Sequence, residues 1–91
     1  MNPQKSKDFF GIIILPTAKK DLKKLPTNII EIVLKKLYSI KENPLRYIER
    51  LKSSHLWKLR IGDYRVIMII DTKDKIINVI KIGHRKNVYE K

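Results

Sequence analysis

The chain switches between two hydrophobic periods, and the switches mark its elements. Phe9 to Leu15 is an aromatic and β-branched apolar run cut off by Pro16, too brief for a helix, and predicts a short buried strand. Thr17 is placed to cap a short helix in which Ala18, Leu22 and Leu25 fall on one face, with Lys19, Lys20, Lys23 and Lys24 on the others. After Pro26 a longer helix starts at Thr27 or Asn28. In it Ile30, Val33, Leu34 and Leu37 repeat at helical spacing, Ile29 and Ile40 flank them, and Asn28 with Glu31 has the spacing of a capping box. Asn43 and Pro44 end it. Helices joined so briefly are expected to lie antiparallel as a hairpin, with their shared stripe buried against a sheet. Leu45 to Ser54 has no clear period and reads as a connection, with Tyr47, Ile48 and Leu51 packing as one irregular turn.

From Leu56 the period becomes two. Leu56 to Ile61, Gly62-Asp63 and Tyr64 to Ile70 predict two strands around a two-residue turn of the primed type, and a turn through Thr72, Lys73 and Asp74 leads to a strand over Ile76 to Ile82 that Gly83 closes. The element order is βααβββ. This is an α+β fold, a small mainly antiparallel sheet with a helical hairpin packed on one face. The first turn also sets a register: Ile61 pairs with Tyr64, Arg60 with Arg65, Leu59 with Val66 and Lys58 with Ile67. One face then carries Trp57, Leu59, Ile61, Tyr64, Val66, Met68 and Ile70, which suits the helix-covered core. The other carries Lys58, Arg60 and Arg65 and is expected to be the solvent side. Centring the second turn between Lys73 and Asp74 puts Ile82 opposite Arg65 and brings His84 and Arg85 to the edge of that basic face, with Tyr89 and Lys81 near it.

The length of 91 residues suits a single domain with one modest core, the segment Met1 to Asp8 reading as a short flexible tail. No apolar run approaches the ~20 residues of a bilayer-spanning helix, so no membrane association is expected. With no cysteine there is no disulfide framework, thiol nucleophile or thiolate metal site, and a reducing cytoplasm is the expected location. Charge changes the picture more. Against 9 Asp+Glu stand 21 Lys+Arg, a net charge of +12 that points to a polyanionic partner. Most of these cations are Lys, a bias that coding composition or life at high temperature also produces, which leaves the few Arg as the more informative residues.

Cations gathered on one surface can grip a scissile phosphate and stabilise the charge that builds on it when a ribose 2′-hydroxyl attacks, a chemistry that needs no metal. No carboxylate cluster is positioned to hold magnesium, because Asp63, Asp71 and Asp74 all fall in turns, and neither a metal nor any other cofactor is expected. Arg60 facing Arg65 is a like-charge pair that costs stability unless an anion lies between them. The same residues also fit a solvated sheet face in a Lys-rich protein. His84 has the intrinsic pKa of a general acid or base, or is a surface residue of a polar tail; Tyr89 is placed to stack on an unpaired base or to pack over the sheet edge. Ile32 stands off the apolar stripe of its helix.

Three stretches sharpen this: Lys19-Lys20-Asp21-Leu22-Lys23-Lys24-Leu25-Pro26; then Trp57-Lys58-Leu59-Arg60 with Gly62-Asp63-Tyr64-Arg65-Val66; then Gly83-His84-Arg85-Lys86-Asn87-Val88-Tyr89. Together and in this order they resemble the RelE/ParE toxin superfamily, RelE branch, over about Phe9 to Tyr89. The resemblance implies the toxin of a type II toxin–antitoxin pair, a metal-independent endoribonuclease (an mRNA interferase) that enters the ribosomal A site, cuts messenger RNA there and so inhibits translation. It implies a cognate RelB-like antitoxin masking the basic face. By the same resemblance Lys58 contacts the scissile phosphate, Arg65 stabilises it, Arg85 stabilises the transition state or leaving group, and Tyr89 positions the substrate. Arg60, His84 and Lys81 are auxiliary RNA contacts. Two positions depart from the pattern: Leu56 stands where the family has a second lysine, and only three residues separate Arg85 from Tyr89. The other branch, ParE-like toxins that poison DNA gyrase without hydrolysis, shares the fold and stands as the alternative.

Overall fold

The computed structural model describes residues 9–52 and 54–85, so the segment Met1 to Asp8 and the tail bearing Tyr89 lie outside the described residues. Strand β1 (Gly11–Ile14) is followed by helices α1 (Pro16–Lys23) and α2 (Thr27–Ser39), a 3-10 turn at Pro44–Arg46, and strands β2 (Glu49–Arg50), β3 (Leu56–Ile61), β4 (Tyr64–Asp71) and β5 (Ile76–His84). The strands form one sheet in the order β1-β5-β4-β3-β2, antiparallel except for β1 beside β5, and both helices pack on one face of it. The expected α+β architecture is the one observed, with β2 added. Two residues are too few to show a period; β2 exists because Glu49 and Arg50 pair with Lys58 and Trp57 on the edge of β3.

The helices begin differently from the capping that their sequences advertise. Leu15 and Pro26 occupy the N-cap positions and neither cap makes a side-chain hydrogen bond. Pro16 takes the first turn of α1, where its fixed φ fits and its missing N–H costs nothing. That puts Thr17 two positions inside the cap, and its hydroxyl instead donates to the Ile80 carbonyl on β5 at 2.9 Å. Asn28 likewise falls inside α2 rather than capping it.

The core is the layer between helices and sheet. Ala18 from α1, Val33 and Leu37 from α2, with Ile40 just beyond it, meet Leu59, Val66, Met68, Ile77, Val79 and Ile82 from the strands, while Trp57 and Ile61 pack at its margin. This is the face read from the alternation of β3 and β4. Asp21 ties the layers together: its carboxylate accepts the Ile82 backbone N–H at 3.0 Å across 61 positions of sequence. Losing a charged acceptor to a partly buried N–H costs about 1.5–3 kcal/mol, so Asp21→Ala is expected to lower the urea midpoint accordingly. An unchanged midpoint would show that water replaces the bond.

The β3–β4 register agrees pair for pair with the reading of the sequence, and Gly62 supplies the φ of 59° that the first central residue of a type II′ turn requires. The β4–β5 turn is also centred as expected, Asp71 pairing with Ile76 and accepting the Asp74 N–H at 2.9 Å. The register then slips. Met68 pairs with Val79 but Ile67 with Lys81, so Ile80 is an extra, bulged residue, and Arg65 faces Gly83 where Ile82 was expected. The hydrophobic pattern explains the slip. Unbroken alternation from Ile77 and Val79 would drive Lys81 into the core, where an unpaired ammonium is prohibitively costly. The bulge turns Lys81 outward and buries Ile82 to 2% exposure, and Thr17 takes up the Ile80 carbonyl.

Candidate functional site

The sheet face away from the helices is where the structure gathers the expected cations. Arg60 stands directly across from Arg65, and Lys58 lies two residues before Arg60 on the same strand face. Arg85 joins them through the bulge. With Tyr64 opposite His84 and Arg65 opposite Gly83, the Arg85 N–H donates to the Asp63 carbonyl at 2.8 Å, and continued alternation puts Arg85 on the face of Arg65. On β5 the residue paired with Arg65 is Gly83.

Two of these cations differ from the solvated side chains expected on a solvent side. Arg65 is only 6% exposed, the one buried charged residue among those described, whereas Arg60 and Arg85 are open to solvent. Lys58 has a side chain 12% exposed and makes an ion pair with Glu49 on β2, Nζ to Oε1 3.5 Å. Beside them the face is apolar: Leu51 and Ile67 form a small second cluster with Leu56 and Ile80. The site is therefore a fixed, partly desolvated cation row bounded by aliphatic side chains. In such surroundings a cation acts on an anion more strongly than it would in water.

The one-residue slip that brings Arg85 onto this face removes His84 from it. His84 pairs with Tyr64 on the helix-facing side, the rings meeting edge to face at 5.4 Å, and lines a 370 Å³ recess with Lys24, Leu25 and Pro26. An auxiliary role for His84 beside Arg65 is thus contradicted by strand parity. Lys81 lies opposite Ile67, is exposed, and also lines the recess beside His84. Tyr89 falls outside the described residues. Among the described residues no three His, Asp or Glu side chains come together in a way that could hold a metal ion, and no helix is long and apolar enough to cross a membrane.

Glu49 is the site residue that sequence reasoning missed. Nothing in the segment around it is periodic, and only its pairing with Lys58 on the edge of β3 reveals it. Its own side chain is 76% exposed, so screening leaves the ion pair little net energy. Glu49→Gln is expected to change the unfolding free energy by less than about 1 kcal/mol. A larger loss in a urea titration would mean that Glu49 holds β2 in place rather than Lys58.

A mainly antiparallel sheet with two helices on one face and a row of cations on the other defines a small basic α+β domain. The chain matches the family model described as ParE toxin of the type II toxin–antitoxin system parDE over residues 12–89, and it belongs to that RelE/ParE toxin family. It is 33% identical over 86 residues to toxin RelE1 of Methanocaldococcus jannaschii, covering 89% of this chain and 96% of the relative. Toxin RelG of Mycobacterium tuberculosis is 28% identical over 78 residues, 82% of this chain and 90% of that one. Among solved structures, the toxin–antitoxin complex RelBE2 of M. tuberculosis contains a chain that superimposes with a TM-score of 0.77 at 26% identity, covering 85% of this chain and 99% of that one. The archaeal RelE–RelB complex of Pyrococcus horikoshii gives 0.73 at 25% identity, with 88% and 99% covered.

Proposed function

We propose that this toxin is a ribosome-dependent endoribonuclease that cuts messenger RNA in the A site, in the cytoplasm, and is held inactive by a RelB-like antitoxin laid over its basic face. The observation that carries the reading is the cation row of Lys58, Arg60, Arg65 and Arg85 on the sheet face that no helix among the described residues covers. The RelE names of the relatives and the antitoxin complexes among the structural neighbours support it.

The chemistry is phosphoryl transfer within one strand. A ribose 2′-oxygen forms a bond to the adjacent phosphorus, the bond from phosphorus to the 5′-oxygen breaks, the 2′ proton passes to a base, and the departing oxygen takes up a proton. The products are a 2′,3′-cyclic phosphate and a 5′-hydroxyl. Charge builds on the non-bridging oxygens and on the leaving oxygen, and immobile cations stabilise it best because they need no reorganisation as it develops. In this reading Arg65, buried and fixed by its strand, takes the non-bridging oxygens, with Arg60 beside it. Lys58, oriented by Glu49, contacts the scissile phosphate. Arg85, exposed at the rim, meets the leaving oxygen, and Tyr89 stacks on the substrate base. His84 has no part, being on the other face of the sheet.

The family model's ParE description and the Leu56 departure favour a second reading, inhibition of DNA gyrase without hydrolysis. Two assays on one preparation separate them. Added to a cell-free translation mixture, the protein is expected to stop synthesis and truncate the message, while supercoiling by purified gyrase continues. Arrested supercoiling with intact message would give the gyrase reading instead.

A further inference from the structure

At the end of β4 remote from Arg65, the last turn of α2, the 3-10 turn and the β4–β5 turn enclose a polar groove of 530 Å³ lined by Ser39, Glu42, Asn43, Arg46, Tyr47 and Lys75. Tyr47 is the aromatic ring that lines it, and cation–ring contacts occur on the adjoining segments. Lys36 Nζ lies 5.9 Å from the centroid of the half-exposed Tyr47 ring, Lys41 Nζ 5.1 Å from that of Tyr38, and Lys75 Nζ 5.9 Å from that of Phe10. Backbone bonds from Phe10 to Lys41 and from Gly11 to Lys75 hold these segments side by side. Neither Arg46 nor Lys75 is ion-paired among the described residues.

Lys75 adds a second, independent observation. Its φ of 56° makes it the only non-glycine residue at positive φ among those described, a backbone conformation that glycine or asparagine usually supplies. Local folding would favour glycine there, yet the position carries a cation that lines the groove. Strained positions of this kind collect at functional sites.

We propose that this groove is a second nucleic-acid contact that takes an unpaired stretch of RNA, one base stacking on Tyr47 and the adjoining phosphates lying on Arg46 and Lys75. Rings give every base a π-face, and the neighbouring cations hold the backbone, which is how single strands are bound without sequence preference. The Lys36 contact with Tyr47 is at the outer limit of a cation–π interaction, so an incoming base displaces it and frees the ammonium for phosphate. Glu42 and Asn43 offer acceptors to base amino groups, which an acidic peptide lacks. The groove stands about 20 Å along β4 from Arg65, far enough to grip RNA that the cleavage face does not touch.

The test is fluorescence anisotropy with a 5′-labelled 2′-O-methyl oligocytidylate, which carries base amino groups and cannot be cut by 2′-hydroxyl attack, so binding is read whether or not the protein is a nuclease. The groove pair Arg46→Ala/Lys75→Gly is expected to weaken binding about tenfold and to reduce the salt slope by roughly 0.7 per cation removed. Tyr47→Ala is expected to weaken binding at an unchanged slope. Glycine suits the positive φ, so thermal melting of Lys75→Gly should match or exceed that of the parent, which separates lost binding from lost fold. Lys19→Ala/Lys23→Ala removes the same charge from the exposed face of α1. If it weakens binding as much as the groove pair does, or if Tyr47→Ala binds like the parent, the net charge alone attracts RNA and the proposal fails. It fails equally if the groove variants keep RNA affinity while losing affinity for phosphatidylserine vesicles.

Discussion

Arg85→Ala is expected to lower A-site cleavage by at least roughly tenfold, the scale of losing one preorganised group that stabilises transition-state charge. The side chain is exposed, and the bond that anchors the residue in the ladder is backbone, from its N–H to the Asp63 carbonyl, so alanine is expected to leave the fold alone. The urea midpoint should therefore stay put while the rate falls. Arg65 is a less clean probe, because it is buried and its loss would disturb packing as well as chemistry. Cleavage by Arg85→Ala at the parental rate would remove this arginine from the reaction and with it the role given to the bulge.

Leu37→Ala is expected to cost roughly 2–5 kcal/mol, enough to unfold a large fraction of a domain of this size. Leu37 is fully buried where α2 meets the sheet, in the cluster that joins Val33 and Ile40 to Leu59 and Met68. Truncation leaves a cavity that a two-layer core with packed strands on one side cannot close. Chemical denaturation followed through Trp57, which packs at the margin of the same cluster, reads the loss directly. A cost below about 1 kcal/mol would mean that α2 relaxes onto the sheet.

The fold was legible wherever period and turn chemistry agreed. The β3–β4 hairpin followed from Gly62-Asp63 and the alternation around it, and α2 from the spacing of Val33, Leu37 and their neighbours. The capping residues misled, because Thr17 and Asn28 have the right side chains but Pro16 and Pro26 set where the helices begin. Strand β2 was illegible in principle, being two residues held by a neighbour rather than by their own pattern. The bulge at Ile80 was within reach: strict alternation from Val79 puts Lys81 in the core, a contradiction that only an added residue resolves. Missing it placed His84 with the cations and left unexplained how Arg85 reaches Arg65. The β3–β4 register was enough to put Lys58, Arg60 and Arg65 on one sheet face, but the burial of Arg65 and the pairing of Lys58 with Glu49 depend on tertiary contacts that no local pattern encodes.

The central claim is that the cation row cuts RNA on the ribosome. Purified toxin added to ribosomes stalled on a defined message, with 5′ ends mapped by primer extension in the presence of EDTA, addresses it directly. Cuts confined to the A-site codon, dependent on the ribosome and lost with Arg85→Ala, are the expected result. An intact message under conditions in which expression of the same protein arrests growth would contradict it and turn attention to a bound target such as gyrase.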